Sequence, residues 1–210
     1  MVENCVKGYV IAMSIEPVRE ALNQERIGRD QVEVILGDRA ALLDEKIDPF
    51  LWYPVESLEG IYRLVAEAKG GSQQTALYQL GEEQFVLLSA LRVHQQLSFS
   101  EGELSQASPE EIACWGRLVS TLVRSVYSFS EMTFEADPAG PDRYNLDWRD
   151  IEDLGDSVLE STLGFIAALA RRASGPAARV TLERPAPGHA RFVFEPAPVS
   201  IGGMERESAR

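Results

Sequence analysis

The chain has 210 residues, 45% of them hydrophobic, enough for one large domain or two tightly packed subdomains with a true core. Its 33 acidic residues against 20 basic ones give a formal net charge of −13, and no run of Lys and Arg forms a local basic patch, which argues against nucleic-acid binding. There is no apolar window of about 18 residues, no signal-peptide pattern, and no metal spacing between Cys5 and Cys114, so a cytoplasmic protein with reduced thiols and no membrane span is expected.

Residues 1–50 read as broken helix. Val10, Ile11 and Ile15 fit a strand or a helix, and Pro17 allows a helix from Val18 to about Asn23. Val32, Ile35 and Leu36 form a short apolar face closed by Gly37, after which Asp38 suits the cap of a helix carrying Leu42 and Leu43. Trp52-Tyr53-Pro54 marks a boundary: Pro54 suits a first helical position, and Glu56 and Glu59 suit the positive end of the helix. The stripe Leu58, Ile61, Tyr62 and Val65 follows, ended by Gly70-Gly71. The next helix is predicted from Ser72 to about Leu97, with Gly81 as a candidate break and Leu77, Leu80, Phe85, Leu88 and Leu91 facing inward. After a polar loop, Ser108-Pro-Glu-Glu111 has the composition of a capped helix start, and that helix carries Ile112, Trp115, Leu118, Val119, Leu122, Val123 and Val126.

The last third reads as one unit. Tyr127 to Phe134 alternates apolar with small or polar residues, the signature of a half-buried strand. Asp137-Pro-Ala-Gly-Pro141 is a turn, and Tyr144, Leu146 and Trp148 share a face of a second strand. Val158, Leu159, Thr162, Leu163, Ile166, Leu169 and Ala170 then recur at helical spacing until Gly175-Pro176 stops them. Val180 to Glu183 and Arg191 to Phe194 form a second hairpin, tight at Gly188. The expected class is α+β: a helical N-terminal half (1–126) packed on a four-stranded antiparallel sheet with a long helix inserted between its two hairpins (127–196), followed by a disordered tail (197–210).

Motifs for chemistry are sparse. There is no Gly-x-Ser-x-Gly elbow, and Gly70-Gly71 lacks the Lys-Ser/Thr of a phosphate loop. His189 sits in a Pro-Gly turn and reads as a solvated loop residue. The acidic run from Asp147 to Asp153 lacks the odd-position spacing and central glycine of a calcium loop. Two histidines in 210 residues count against an enzyme, and no catalytic residue is expected.

Val6-Lys7-Gly8, Trp52-Tyr53-Pro54-Val55-Glu56, Leu80-Gly81-Glu82 and Leu163-Gly-Phe-Ile-Ala-Ala-Leu-Ala-Arg-Arg172, with Val180-Thr-Leu-Glu-Arg-Pro185 after it, carry a resemblance over most of residues 6–195. The chain resembles the haem nitric-oxide/oxygen-binding (H-NOX-like) fold, whose layout 4-vinyl-reductase-type ligand-binding domains partly share. It is similar, more narrowly, to a paralogous family of bacterial proteins without an assigned activity. Haem-binding H-NOX members use an axial histidine on a helix and a Tyr-x-Ser-x-Arg motif for the propionates. Leu91-Arg-Val-His94-Gln-Gln-Leu97 resembles the histidine helix, whereas Tyr127-Ser-Phe-Ser-Glu131 lacks both the spacing and the arginine.

The resemblance implies a non-catalytic regulatory or sensor domain without cofactor, binding a small apolar ligand or a partner protein. His94 becomes a metal ligand only if haem is bound. By fold analogy the cavity belongs at the junction of helices and sheet, with Trp115 and Leu118 on one side and Phe134, Leu146 and Phe165 on the other. The competing readings are a protein–protein interaction or scaffold protein with a filled cavity and a stable homodimer, a haem sensor, and an enzyme using clustered carboxylates.

Overall fold

The computed structural model describes residues 4–90, 107–140 and 143–196. Strand β1 (Cys5–Lys7) pairs antiparallel with β2 (Trp52–Pro54), Val6 opposite Tyr53. Trp52-Tyr53-Pro54 is thus a strand rather than a helix start. Lys7 holds it there, with Nζ 4.0 Å over the Trp52 ring and a 3.0 Å hydrogen bond donated to the Phe50 carbonyl.

Helix α1 (Gly8–Asn23) runs straight through Pro17. Proline removes one backbone hydrogen bond at a cost of about 3 kcal/mol. Val10, Ile11, Ile15 and Val18 are buried on one continuous stripe across it. At about 1.5–3 kcal/mol each they outweigh the proline. Helix α2 (Arg29–Leu36) leads into a 3₁₀ helix (Gly37–Leu43), where a capped α-helix was expected. Arg19 of α1 binds its last carbonyls, with Nε donating to Leu43 at 2.8 Å and a terminal nitrogen donating to Leu42 at 3.2 Å.

Helices α3 (Glu56–Lys69) and α4 (Gln73–Ala90) follow, and α4 is continuous at Gly81. That glycine serves packing. A Cβ on Gly81 would stand 1.8 Å from the Ser161 carbonyl oxygen, and one on Gly164 would stand 1.9 Å from the Tyr78 carbonyl oxygen. The two glycines let α4 touch helix α6 (Asp156–Ser174) backbone to backbone. Helix α5 (Pro109–Val126) opens with a full capping box: Glu111 N–H donates to Ser108 Oγ and Ser108 N–H donates to the Glu111 carboxylate at 2.7 Å.

Tyr127 ends α5 instead of starting a strand. Its N–H donates to the Val123 carbonyl, its backbone bridges to Val6, and Ser128 N–H donates to Cys5. Strand β3 begins only at Glu131 (Glu131–Ala136). With β4 (Tyr144–Arg149), β5 (Arg179–Ala186) and β6 (His189–Glu195) it builds an antiparallel sheet in the order β3-β4-β6-β5. Phe134, Leu146, Phe192 and Leu182 stand abreast on its inner face. Gly188, at φ 69°, takes the left-handed position of the β5–β6 turn. One hydrophobic core runs from Val6 to Phe194, joining the helices to the inner face of the sheet. Among the described residues, no helix is long and apolar enough to cross a membrane.

Candidate functional site

A cavity of about 120 Å³ lies where helices α1, α3, α4, α5 and α6 meet strands β3 and β4. Helix α5 lines it with Val119, Leu122, Val123 and Val126, and α6 with Thr162, Phe165, Ile166 and Leu169. Each set has the i, i+3, i+4, i+7 spacing of one helical face. Tyr9, Val10 and Met13 of α1, Tyr62 of α3, and Gln84 and Leu88 of α4 close the helical side. Tyr127, Met132 and Trp148 close the side toward the sheet.

Polar groups at the cavity are few and mostly satisfied. Gln84 is 8% exposed, and its amide nitrogen donates to Ser14 Oγ at 3.0 Å and to the Tyr62 hydroxyl at 3.3 Å. The Ser161 hydroxyl donates to the Gln84 carbonyl oxygen at 3.5 Å, so one buried amide ties α1, α3, α4 and α6 together. The Thr162 hydroxyl turns back to the Val158 carbonyl at 2.8 Å. Burial pushes the Tyr9 hydroxyl up to about 12. Burial also raises Tyr127 well above its ordinary value, with Tyr62 and Tyr9 adding to the effect. Both phenols therefore stay protonated at neutral pH. Trp148 is 1% exposed and packs at 5.0 Å against the Tyr127 ring, and its indole nitrogen has no hydrogen-bond partner among the described residues.

Among the described residues, no Asp, Glu, Lys, Arg, His or Cys belongs to this lining. The described lining residues supply no acid–base pair. What the lining presents is an apolar space of about 120 Å³.

Of the five residues expected at a cavity, Phe165 lines this one, edge-to-face with Phe85 at 5.6 Å. Trp115, Phe134 and Leu146 are buried together one helical turn away. Trp115 meets Phe134 edge-on at 5.9 Å and Phe194 at 5.7 Å, and fills the space over that end of the sheet. Leu118 is half-buried on α5 outside the lining. The cavity opens beyond Trp115, over Met132 and Trp148. His94 lies outside the described residues.

His189 is not a solvated loop residue. It begins β6 and sits half-buried with Nε2 2.6 Å from Asp147, on the face of the sheet opposite the cavity. Arg191 Nε donates to the same carboxylate at 2.9 Å. Burial pushes the Asp147 carboxyl up, but the hydrogen bonds from Arg191 and His189 outweigh it, and the group lies below the usual carboxylate range. Among the described residues, no group of three or more His, Cys, Asp or Glu is placed to hold a metal. A second, open cleft between α3 and the β4–α6 connection is lined by Arg39, Glu56, Glu59, Arg63, Glu152 and Asp153. There Glu59 accepts from the Ser157 hydroxyl at 2.7 Å and anchors the start of α6.

No protein-family model matches the sequence, and no curated protein matches it. Solved structures do match. The chain aligns with the Fe(II) unliganded H-NOX protein from K. algicida at 12% identity and a TM-score of 0.60, covering 91% of this chain and 96% of that one. An oxygen-binding H-NOX domain related to soluble guanylate cyclases, in its oxygen complex, aligns at 14% identity and a TM-score of 0.55, covering 92% and 96%. A structure from work on haem distortion in the H-NOX family aligns at 12% identity and a TM-score of 0.57, also covering 92% and 96%. Helical half, crossing helix and four-stranded sheet together give this chain an H-NOX-like fold.

Proposed function

We propose that this chain is a non-catalytic, haem-free ligand-binding domain of the sensor kind, and that its ligand is a small apolar molecule held in the cavity beneath α5 and α6. The observation that carries the reading is the cavity itself: about 120 Å³, bounded by apolar faces of two helices, with no ionisable Asp, Glu, Lys, Arg or His among its described lining residues. An apolar cavity of roughly 150 Å³ stays dry and accepts benzene.

The structural neighbours include an Fe(II) H-NOX protein and a protein from work on haem distortion, and the described lining of this chain does not fit haem. A four-pyrrole ring needs several times this volume. Its propionates call for cations, and the described lining residues include neither Lys nor Arg. Neither imidazole nor thiolate is among the described lining residues, and Tyr9 and Tyr127, kept protonated by burial, are poor candidates for a tyrosinate ligand. Glu131, at the end of the Tyr127–Glu131 segment, is an anion paired with Arg124 at 2.9 Å.

The test is melting in the presence of benzene. At ten times its Kd, a ligand of the folded state alone raises the melting temperature of a chain this size by about 3–6 °C. A melting temperature indifferent to benzene would contradict the reading. A partner-protein reading is favoured by one separate observation: Phe50, Leu51 and Trp52 are 81%, 58% and 43% exposed in succession. A stable ligand-free dimer in sedimentation, lost in a Phe50→Ser/Leu51→Ser variant, would support that reading over the first.

A further inference from the structure

The hydroxyl proton of Tyr62 has a direction that its neighbours dictate. Ser14 of α1, fully buried, donates its hydroxyl proton to the Val10 carbonyl at 2.7 Å. A hydroxyl has one proton, so toward Gln84 the Ser14 oxygen can only accept. The end of the Gln84 amide that stands 3.0 Å from it is therefore the NH₂ group. The same nitrogen donates to the Tyr62 hydroxyl at 3.3 Å. Both amide protons are then committed, and the Tyr62 oxygen is an acceptor whose own proton must point elsewhere. Among the described residues nothing takes that proton. Tyr62 is buried, and its hydroxyl meets Gln84 where both side chains line the cavity.

Resting on the reading of the cavity as a ligand site, we propose that the Tyr62 hydroxyl donates a hydrogen bond to the ligand, and that the ligand is a neutral single-ring carbonyl compound such as a cyclic ketone or lactone. The volume of about 120 Å³ limits the ligand to the size of one ring. With no Asp, Glu, Lys, Arg or His among the described lining residues, the buried charge of a carboxylate or an amine would go unpaired. A hydrocarbon of the same shape would leave the Tyr62 proton unmet, which favours a ligand with an acceptor. Accepting from Gln84 polarises the Tyr62 O–H and strengthens it as a donor. The Tyr127 hydroxyl, another group of the same lining, makes no hydrogen bond among the described residues and lies close enough for a charge on Tyr62 to raise it. A carbonyl oxygen has two lone pairs and can accept from both phenols.

The probes are cyclopentanone, ¹³C-labelled at the carbonyl, and methylenecyclopentane, which differ in C=O against C=CH₂ at nearly equal shape. Titration calorimetry of the full chain should give at least about five-fold tighter binding of the ketone, the scale of one net hydrogen bond. The carbonyl ¹³C resonance of the bound ketone should lie downfield of its position in hexane. Tyr62→Phe should cut the ketone preference by about five-fold and move that resonance back toward the hexane value. Ser14→Ala should do the same from outside the lining: it frees the Gln84 amide to turn over, and Tyr62 then donates to Gln84 instead of to the ligand. Because Ser14 does not line the cavity, that loss reports the direction of the proton rather than a change of shape, and it decides the matter even if Tyr62→Phe fails to fold. A ketone preference and carbonyl shift kept in both variants would overturn the assignment to Tyr62. Equal affinities of the two probes for the unmodified chain would overturn it too and leave the cavity reading standing. Binding of neither probe would overturn both.

Discussion

Gly81→Ala is the substitution whose sign the structure fixes against propensity. On an exposed helix surface, replacing glycine by alanine stabilises by about 1 kcal/mol. Here the new Cβ would stand 1.8 Å from the Ser161 carbonyl oxygen and 2.6 Å from the Phe165 amide nitrogen. A relaxed carbon–oxygen contact is about 3.3 Å, so α4 must retreat from α6 by roughly 1.5 Å. A gap of 0.5–1 Å already forfeits a quarter to a half of each dispersion contact, and both obstructing atoms are backbone that cannot rotate aside. Overpacking of this kind costs at least about 3 kcal/mol, which leaves a net destabilisation of roughly 2 kcal/mol after the gain in propensity. For 210 residues that is a fall of about 4–8 °C in Tm, measurable by calorimetry or circular dichroism. Because α4 carries Gln84 and Leu88 into the cavity wall, benzene binding should weaken in the same variant. An unchanged or raised Tm would refute the backbone contact between α4 and α6.

Three further outcomes follow from single groups. Asp147 lies below its ordinary value, so its contribution to stability is complete above the unfolded value of about 3.9 and is lost as pH falls through the lower, folded value. Asp147→Asn should flatten that acid-side loss and cost about 1–3 kcal/mol at pH 7, because Arg191 and His189 lose their shared acceptor; urea titrations at several pH values would show it. Ser108→Ala breaks the capping box and should cost about 1 kcal/mol in the same assay. Leu169→Ala enlarges the cavity from a fully buried position, and should cost about 2–5 kcal/mol while shifting preference from benzene toward larger hydrocarbons in calorimetric titrations.

Sequence reasoning reached the architecture because most elements are stated locally. The Ser108–Glu111 cap, the stripe of α6 and the turn at Gly188 each follow from a few neighbouring residues. It stumbled where a distant partner decides. Tyr127 alternates like a strand, yet its backbone is taken by Val6, more than a hundred residues earlier. Trp52–Pro54 looks like a helix entrance and is held as a strand by β1. Gly81 reads as a break because the sequence does not show Ser161 pressing against it. The cavity was missed for a related reason. Periodicity says that Trp115, Val119 and Leu122 lie on a buried face of α5, but not which of them meet atoms and which meet a void. Large aromatics drew the expectation toward Trp115 and Phe134, whose bulk is what fills their own end of the sheet, while the space lies under smaller valines and leucines. The i, i+3, i+4, i+7 match between Val119–Val126 and Thr162–Leu169 was the available signal.

The most direct test of the central claim is to express the chain in cells supplied with haem precursor, then record its visible absorbance and native mass spectrum. The account predicts no Soret band and a mass equal to the chain alone or with one small neutral molecule. A Soret band with haem at one equivalent per chain would contradict it.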